Sequence, residues 1–485
     1  MNYRQKALLI SNSIPKLTTK LNSEAWLVVI LLSLICILLI AVGSIGSKVL
    51  NIFFPVGSLA AGYFFYFKHP SFYIGFVWWD MFMTPLIRRL SDFRAGGFSD
   101  SNPILLAPTL VILVSLHTLY FNLPKVREQN AAPFALALAS SMYGYFVGLL
   151  NPSASFVQVT LAYSGWVTPI LFGYHLYVNW RRYPDYSRII KQVFLWGCLI
   201  VGLYGVYQYM VAPDWDKLWL VGSKMDSSAG KPEPFGMRVW STLNSPGPFA
   251  DMISSSLLIL FSCTSPLVVP AAGAGLLSLL LSAVRTGWLG WAGGILFFSS
   301  SLKPKQLLRL VLTIVALLAC IIPLSTIEPF AGTISTRFST LGDIQNDNSA
   351  SIRQNIYKGF FENGIFNLIG DGIGVNATVD AGVLSLILDL GWIGALPYTA
   401  SLLLCGITLF KNLGKYPQDL FMKASCAVLI KSIAFFLAAR VTAGIHGIII
   451  WSFIGIGLAG QQYWNHQKSV QLNMQLNLLS DKKEN

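Results

Sequence analysis

The chain is written as long apolar runs separated by short polar stretches. Ala25 to Gly43 (AWLVVILLSLICILLIAVG) carries no charged residue and has the length, about 20 residues, that crosses the hydrocarbon core of a bilayer as a helix. Similar runs recur at Val49–Phe67, Ser71–Ile87, Leu105–Phe121, Ala131–Leu150, Ser155–Tyr177 and Ile190–Met210. A second series follows at Pro248–Cys263, Pro266–Ser282, Trp288–Ser301, Leu307–Leu324, Gly382–Phe410, Leu420–Ala439 and Thr442–Gly460. Within hydrocarbon every backbone N–H and C=O must be bonded inside the segment, so these runs predict helices. The short alternating strands of a membrane barrel are not visible. The pattern predicts about 12–14 transmembrane helices. Gly382–Phe410 is too long for one upright helix and reads as a half-helix followed by a full one. The first run exceeds the h-region of a cleavable signal and reads as a signal anchor.

Composition agrees. Of 485 residues, 54% are hydrophobic and 11% charged, too few charges to cover a water-facing surface. The expected fold class is therefore all-α, a polytopic membrane protein. The runs divide the chain into a tail (1–24), an N-terminal bundle (25–211), a long loop (212–247), central helices (248–324), a second long loop (325–379), C-terminal helices (380–460) and a closing tail (461–485).

Lysine and arginine in the short loops set the expected orientation. Arg4, Lys6, Lys16 and Lys20 precede the first run, which places the N-terminus in the cytoplasm. Alternation then puts Lys125/Arg127, Arg181/Arg182/Arg188/Lys191, Lys303/Lys305/Arg309 and Lys411/Lys415 on the same side, together with Lys468, Lys482 and Lys483 of the closing tail. Both termini are expected to be cytoplasmic and both long loops to face outward. Arg88, Arg89 and Arg94 disagree: either Ser71–Ile87 is not a full span or these arginines are retained for a use. The net charge of +13 mostly reflects this loop bias toward anionic membrane lipid, and no nucleic-acid partner is assigned.

Cys36, Cys198, Cys263, Cys320, Cys405 and Cys426 all lie in apolar runs without C-x-x-C spacing. The histidines are scattered, and no phosphate-cradling G-x-x-x-x-G-K-S is present. Neither a metal site nor a nucleotide cofactor is expected.

The two long loops are rich in aromatics: Trp215, Trp219, Phe235 and Trp240 in the first, Phe330, Phe338, Tyr357, Phe360 and Phe361 in the second. Such residues suit stacking on sugar rings and equally suit packing against the bundle. Arg238, Arg285, Arg337, Arg353 and Arg440 fall on the expected outer side, where the loop rule predicts scarcity. One arginine at a helix boundary snorkels to headgroups; five on one side point to an anion site, and a guanidinium fork suits a diphosphate. Gly370, Gly372 and Gly374 allow a tight turn, a poor nucleotide fingerprint without its strand. Asp380 precedes an apolar helix and is either a helix cap or a general base. Asp389, nine residues on, suits pairing.

These pieces, in this order, resemble the O-antigen ligase and polymerase family of polytopic glycosyltransferases, which includes exopolysaccharide and teichuronic-acid polymerases. The likeness rests on Arg238 with the Asn244-Ser245-Pro246 turn, on Val284-Arg285-Thr286-Gly287-Trp288, and on Arg353 with Tyr357. It continues through Gly370-Asp371-Gly372-Ile373-Gly374 and the Asp380–Gly394 stretch that holds Leu384, Asp389 and Gly391. It covers about Arg238 to Trp451. Where ligases of the family carry a loop histidine this chain has Asp380, which looks more like the polymerase or exopolysaccharide branch. The resemblance implies a GT-C-like architecture and transfer of glycan from a polyprenyl-diphosphate donor to a sugar hydroxyl, the glycan acceptor, outside the plasma membrane. Arg238 and Arg285 would hold the diphosphate, helped by Arg353, Arg337, Arg440 and Asn244, and supply the charge that Mg²⁺ supplies elsewhere; Asp380 would orient or deprotonate the acceptor. It also implies flippase or chain-length partners of a polysaccharide pathway. A transporter or flippase is the alternative from another class: it expects inverted repeats, which are not visible, and ionisable groups in the spans, of which Asp80, Asp251, Lys423 and Lys431 are the candidates.

Overall fold

The computed structural model describes residues 23–126, 128–300, 302–308, 311–312, 314–315, 358, 367–376, 382–440 and 442–481. Among the described residues, eight stretches are helical, long and apolar enough to cross a membrane: Ser23–Ala41, Ser44–Lys68, Pro103–Lys125, Ala132–Leu150, Phe156–Val178, Trp180–Val211, Gly382–Lys415 and Gly444–Asn477. No strand occurs among the described residues, where Gly230 and Met237 form one isolated bridge. The chain is an all-α polytopic membrane protein.

The first two helices, α1 (Ser23–Ala41) and α2 (Ser44–Lys68), are followed by α3 (Pro70–Ala95). The next run breaks at Val114–Ser115 into α4 (Ala107–Leu113) and α5 (Leu116–Asn122). Then come α6 (Ala132–Leu150), α7 (Phe156–Val178) and α8 (Tyr183–Val211). The first long loop contains a short helix, α9 (Asp214–Gly222). Beyond it lie α10 (Pro246–Leu260), α11 (Val268–Leu281) and α12 (Arg285–Ser300), and finally α13 (Gly382–Asn412), α14 (Leu420–Ala438) and α15 (Gly444–Asp481). Of the run Leu307–Leu324 only a few helical residues are described.

Burial explains why further helices among the described residues, such as α3, α10 and α14, need not be as long or as apolar as these eight. α1 exposes Trp26, Leu27, Leu31 and Leu38 around its circumference, a surface suited to lipid and not to water. In contrast, α10 is enclosed by protein from Phe249 to Leu260, so it needs neither the length nor the uniform hydropathy of a lipid-facing span. Likewise α3 and α14 carry Asp80, Arg88, Arg89, Asp92, Lys423 and Lys431, all buried against other helices. The first half of α15 runs through the centre, where small residues let backbones touch. A Cβ on Gly455 would lie 2.1 Å from the Gly173 carbonyl oxygen of α7. The same helix then continues well past its apolar run, to Asp481.

One end of the bundle gathers the basic connections. There Tyr183 and Trp464 donate to Asp419 at 2.6 and 2.7 Å, and Lys468 donates to the Lys415 carbonyl at 3.0 Å. The other end, the loop end, holds the chain between α8 and α10 and the glycine turn. Arg88 and Arg89 belong to this end, and their discordance with the loop rule has a structural answer: α3 continues to Ala95, and both arginines are paired within the protein, one by α3 itself and one by α9. Arg88 pairs with Asp92 at 2.7 Å and lies over the rings of Phe98 and Trp219. Arg89 pairs with Asp216 of α9 at 2.7 Å, both fully buried, and donates to the Ser241 carbonyl at 2.6 Å. Tyr204 and Gln208 of α8 also donate to Asp216, at 3.0 and 2.8 Å. Burial pushes this carboxyl above the usual range while Arg89 pulls it back. The first long loop is thus a folded cap pinned to α3 and α8.

Candidate functional site

Arg238 leaves the cap with its backbone N–H on the Ala229 carbonyl at 2.8 Å. Its guanidinium donates to three backbone carbonyls: Ser282 at 3.0 Å, Ala283 at 3.0 Å and Ser228 at 2.8 Å. Ser282 and Ala283 form the turn out of α11, and Ala283 adopts a left-handed φ of 53°. Two residues later Arg285 opens α12. The sequence separation of Arg238 and Arg285 is therefore closed by direct bonding to the turn before Arg285. A cation at a helix N-terminus opposes the positive end of the helix dipole, so Arg285 gains nothing from its helix. An anion there would meet that dipole and the Arg238 guanidinium held on the turn, with Arg285 at the first position of the helix.

Asn244 follows Arg238 by six residues, just before α10. Its carbonyl accepts from Trp219 Nε1 at 3.0 Å, and Trp219 also packs under Arg88. Its side-chain Oδ1 is buried without a partner among the described residues. Pro246 then starts α10. Arg337, Arg353 and Asp380 lie outside the described residues.

Arg440 is placed elsewhere at the loop end. One guanidinium nitrogen donates to Asp389 Oδ2 at 2.7 Å and to the Asn376 carbonyl at 2.8 Å. The pairing expected of Asp389 is thus with Arg440. The long run splits as its length suggested, because Gly391 (φ 59°, ψ −178°) interrupts α13. Broken helices leave backbone groups unpaired, and here the glycine turn fills the break. Asp371 and Gly372 donate from their N–H groups to the carbonyls of Leu388 and Asp389, while Trp392 and Ile393 donate to Asn367 and Leu368. Gly372 has φ +96°, and a Cβ on it would lie 2.2 Å from the Gly148 backbone nitrogen of α6. The turn is therefore a plug seated between α6, α7 and α13. The Asp371 carboxylate accepts from Asn376 at 2.8 Å and weakly from Asn367 at 3.4 Å, and Asn151, just past the end of α6, donates to the Asp371 backbone carbonyl at 2.8 Å.

Below the Arg285 end of α12 lies a cluster that composition did not disclose. Lys431 of α14 pairs with Asp251 of α10, donating also to the Asp251 carbonyl at 3.0 Å and to Ser255 Oγ at 2.7 Å. His446 of α15 meets the other Asp251 oxygen at 2.5 Å. All three residues are buried. Sequence reading singled out Asp251 and Lys431 as ionisable residues inside runs but had no signal for their pairing or for His446. Gly287 packs on Ala250 and Gly290 on the Lys431 backbone, which joins the Arg285 helix directly to this cluster.

No protein-family model and no curated protein matches the chain.

Proposed function

We propose that the chain is a membrane glycosyltransferase of the O-antigen ligase and polymerase type. It would act at the outer face of the plasma membrane, with both termini in the cytoplasm. The observation that carries this reading is the bonding of Arg238 to the turn that introduces Arg285, which brings a second permanent cation to the start of the helix that Arg285 opens. Such a pair suits a diphosphate, whose oxygens accept bidentate guanidinium bonds. In the reaction the acceptor sugar hydroxyl attacks the anomeric carbon and the bond to the polyprenyl diphosphate breaks. Negative charge develops on the leaving diphosphate, where preorganised donors lower the barrier most. The hydroxyl proton passes to a carboxylate: Asp380 in this reading, with Asp371 of the plug as the other candidate. Arg337 and Arg353 are proposed to complete the anion site. Arg440, tied to Asp389 and Asn376, would act by holding the plug.

A transporter or flippase for lipid-linked glycan is the second reading, favoured by one observation: Asp251, Lys431 and His446 form an ionisable cluster inside the bundle. One experiment separates the two. The purified full-length chain is reconstituted in liposomes with polyprenyl-diphosphate-linked glycan and an acceptor glycan. New glycosidic product with release of polyprenyl diphosphate supports transfer. Movement of intact donor between leaflets without product sinks it in favour of transport. Cysteines placed at Ser227 and Gln418 test the orientation: Ser227 should react with an impermeant reagent added outside cells, and Gln418 should not.

A further inference from the structure

Asp80 stands near the middle of α3, buried within the helical bundle, and differs from the other buried carboxylates there. Asp92, Asp251 and Asp389 each face a cation, whereas Asp80 has none among the described residues. Its Oδ1 accepts from Thr84 at 3.2 Å, one turn along the same helix, and weakly from Ser58 of α2 at 3.5 Å. Its Oδ2 is buried with no hydrogen-bond partner among the described residues. Ser58 and Thr84 are buried as well.

The groups facing Asp80 are few. From α2 comes the Ser58 hydroxyl, and from α1 the Cys36 thiol, the titratable neighbour. On its other faces α3 meets α4 through Tyr73 and α8 through Gly75 and Phe82, against Val111, Ile189, Val193 and Gly197. A carboxylate so enclosed is strongly disfavoured in its charged form, and protonation removes the charge at once. Two hydroxyls and one carboxyl are too few oxygens for a hard metal cation, which takes six or more. Both hydroxyls bond to Oδ1, leaving Oδ2 to carry the proton.

The helix pair is also asymmetric along its length. Toward the loop end Ser91 faces Asn51 at 3.2 Å and the Ser47 carbonyl at 3.4 Å, so polar groups recur between α2 and α3. Toward the basic end the same interface is closed by packed rings: Phe65 on Phe72 and Phe76, and Tyr66 on Tyr73. We propose that Asp80 is a reversible proton-binding site within the membrane, reached from the loop end along the α2–α3 interface. This is independent of the glycosyl-transfer reading.

The test uses the unmodified full chain in membranes treated with dicyclohexylcarbodiimide, a hydrophobic reagent that reacts with protonated carboxyls. The acid transfers its proton to a carbodiimide nitrogen while the carboxylate oxygen adds to the central carbon, and rearrangement leaves a stable acylurea that peptide mass spectrometry locates. An adduct on Asp80 is expected, falling about tenfold per pH unit on the alkaline side of its titration. Asp251, held by Lys431 and His446, should remain unmodified under the same conditions. Asp80→Asn should remove the adduct from its peptide, and Asn51→Leu should slow the response of labelling to a pH jump. Absence of an Asp80 adduct at every pH at which the protein stays folded overturns the proton site. So does protection by sodium chloride, but not choline chloride, at constant pH, which would mark a metal-cation site. An Asn51→Leu protein that responds as fast as the unmodified chain overturns the access route.

Discussion

Lys431 and Asp251, 180 residues apart in the chain, are joined as a fully buried ion pair between α14 and α10, and His446 of α15 closes on the second Asp251 oxygen. Three helices are thereby tied at one level of the bundle, beneath the end at which α12 begins with Arg285. Removing one partner of such a pair strands the other charge, whereas removing both does not. Lys431→Met should therefore destabilise the protein by about 3–5 kcal/mol. The double variant Asp251→Asn/Lys431→Met should recover most of that loss. Thermal unfolding of the detergent-solubilised chain, followed by tryptophan fluorescence, measures both. Equal loss in the single and double variants would show that shape, not charge, holds the three helices.

The cap is governed by a second pair. Asp216→Asn leaves the Arg89 guanidinium buried without its counter-charge, at a cost of about 3–5 kcal/mol. That cost falls on the contact between α9 and α3. Lys217 and Lys224 sit in the same segment, neither before a proline, and provide the readout, since trypsin cleaves a loosened cap there sooner. Cleavage at these lysines should accelerate strongly while the rest of the digest is unchanged. A digest identical to that of the unmodified protein would mean that Arg88, stacked on Trp219, holds the cap without Asp216.

Hydrophobic periodicity was enough to reveal an all-α membrane chain, because the length and apolarity of a lipid-facing helix are written locally. α1 and α6 are examples, each found within a few residues of its expected bounds. The interruption of α13 was legible from the excess length of its run, and Gly391 supplies the φ it needs. What was not legible depends on contacts between distant segments. Arg88 and Arg89 looked like loop charges in the wrong place because Asp216 lies far along the chain. The arginine motif was visible, but its closure onto Ser282 and Ala283 was not, since backbone carbonyls leave no mark in sequence. His446 appeared as one of five scattered histidines and acquires meaning only beside Asp251.

The glycine plug makes a sharp demand on residue size. At Gly372 any side chain faces both a left-handed φ of 96° and the Gly148 backbone at 2.2 Å. Strained positive φ alone costs roughly 1–3 kcal/mol, and the overlap forces the plug away from α6. Gly372→Ala should lower thermal stability and expose a cysteine placed at Ile373, which is fully buried in the seated plug. Thiol labelling compares Ile373→Cys with Ile373→Cys/Gly372→Ala. Faster labelling in the double variant is expected; equal rates would show that the plug tolerates the methyl group without leaving its seat.

If Arg238 and Arg285 grip one diphosphate, geometry matters as much as charge. Arg285→Lys keeps the cation but loses the fork, and should reduce transfer at least about tenfold, or ~1.4 kcal/mol. Arg238→Ala should reduce it further, because it also releases the turn before Arg285. Binding of a non-transferable polyprenyl diphosphate separates these effects from chemistry, and should weaken in both variants. Unaltered turnover at equal membrane level in both would return the two arginines to a structural role at the α11–α12 turn.

In the proposed transfer, Asp380 and Asp371 are the two candidates for proton acceptor. Asn caps a helix about as well as Asp, so if Asp380 is only a cap, Asp380→Asn should leave transfer close to that of the unmodified chain. If Asp380 accepts the acceptor-hydroxyl proton, the same change removes the base while keeping shape, and general-base catalysis contributes roughly 10²–10⁴-fold. Asp371 requires a different expectation. Its carboxylate accepts from Asn376 and Asn367, so an amide in its place sets a donor against a donor in one of these contacts. Asp371→Asn should therefore lower stability as well as activity, whereas Asp380→Asn should lower activity alone. Measuring transfer rate and thermal unfolding together distinguishes them. A large loss of rate in Asp380→Asn at unchanged stability assigns it the base. A loss confined to Asp371→Asn that persists at temperatures where the variant is fully folded moves the base into the plug.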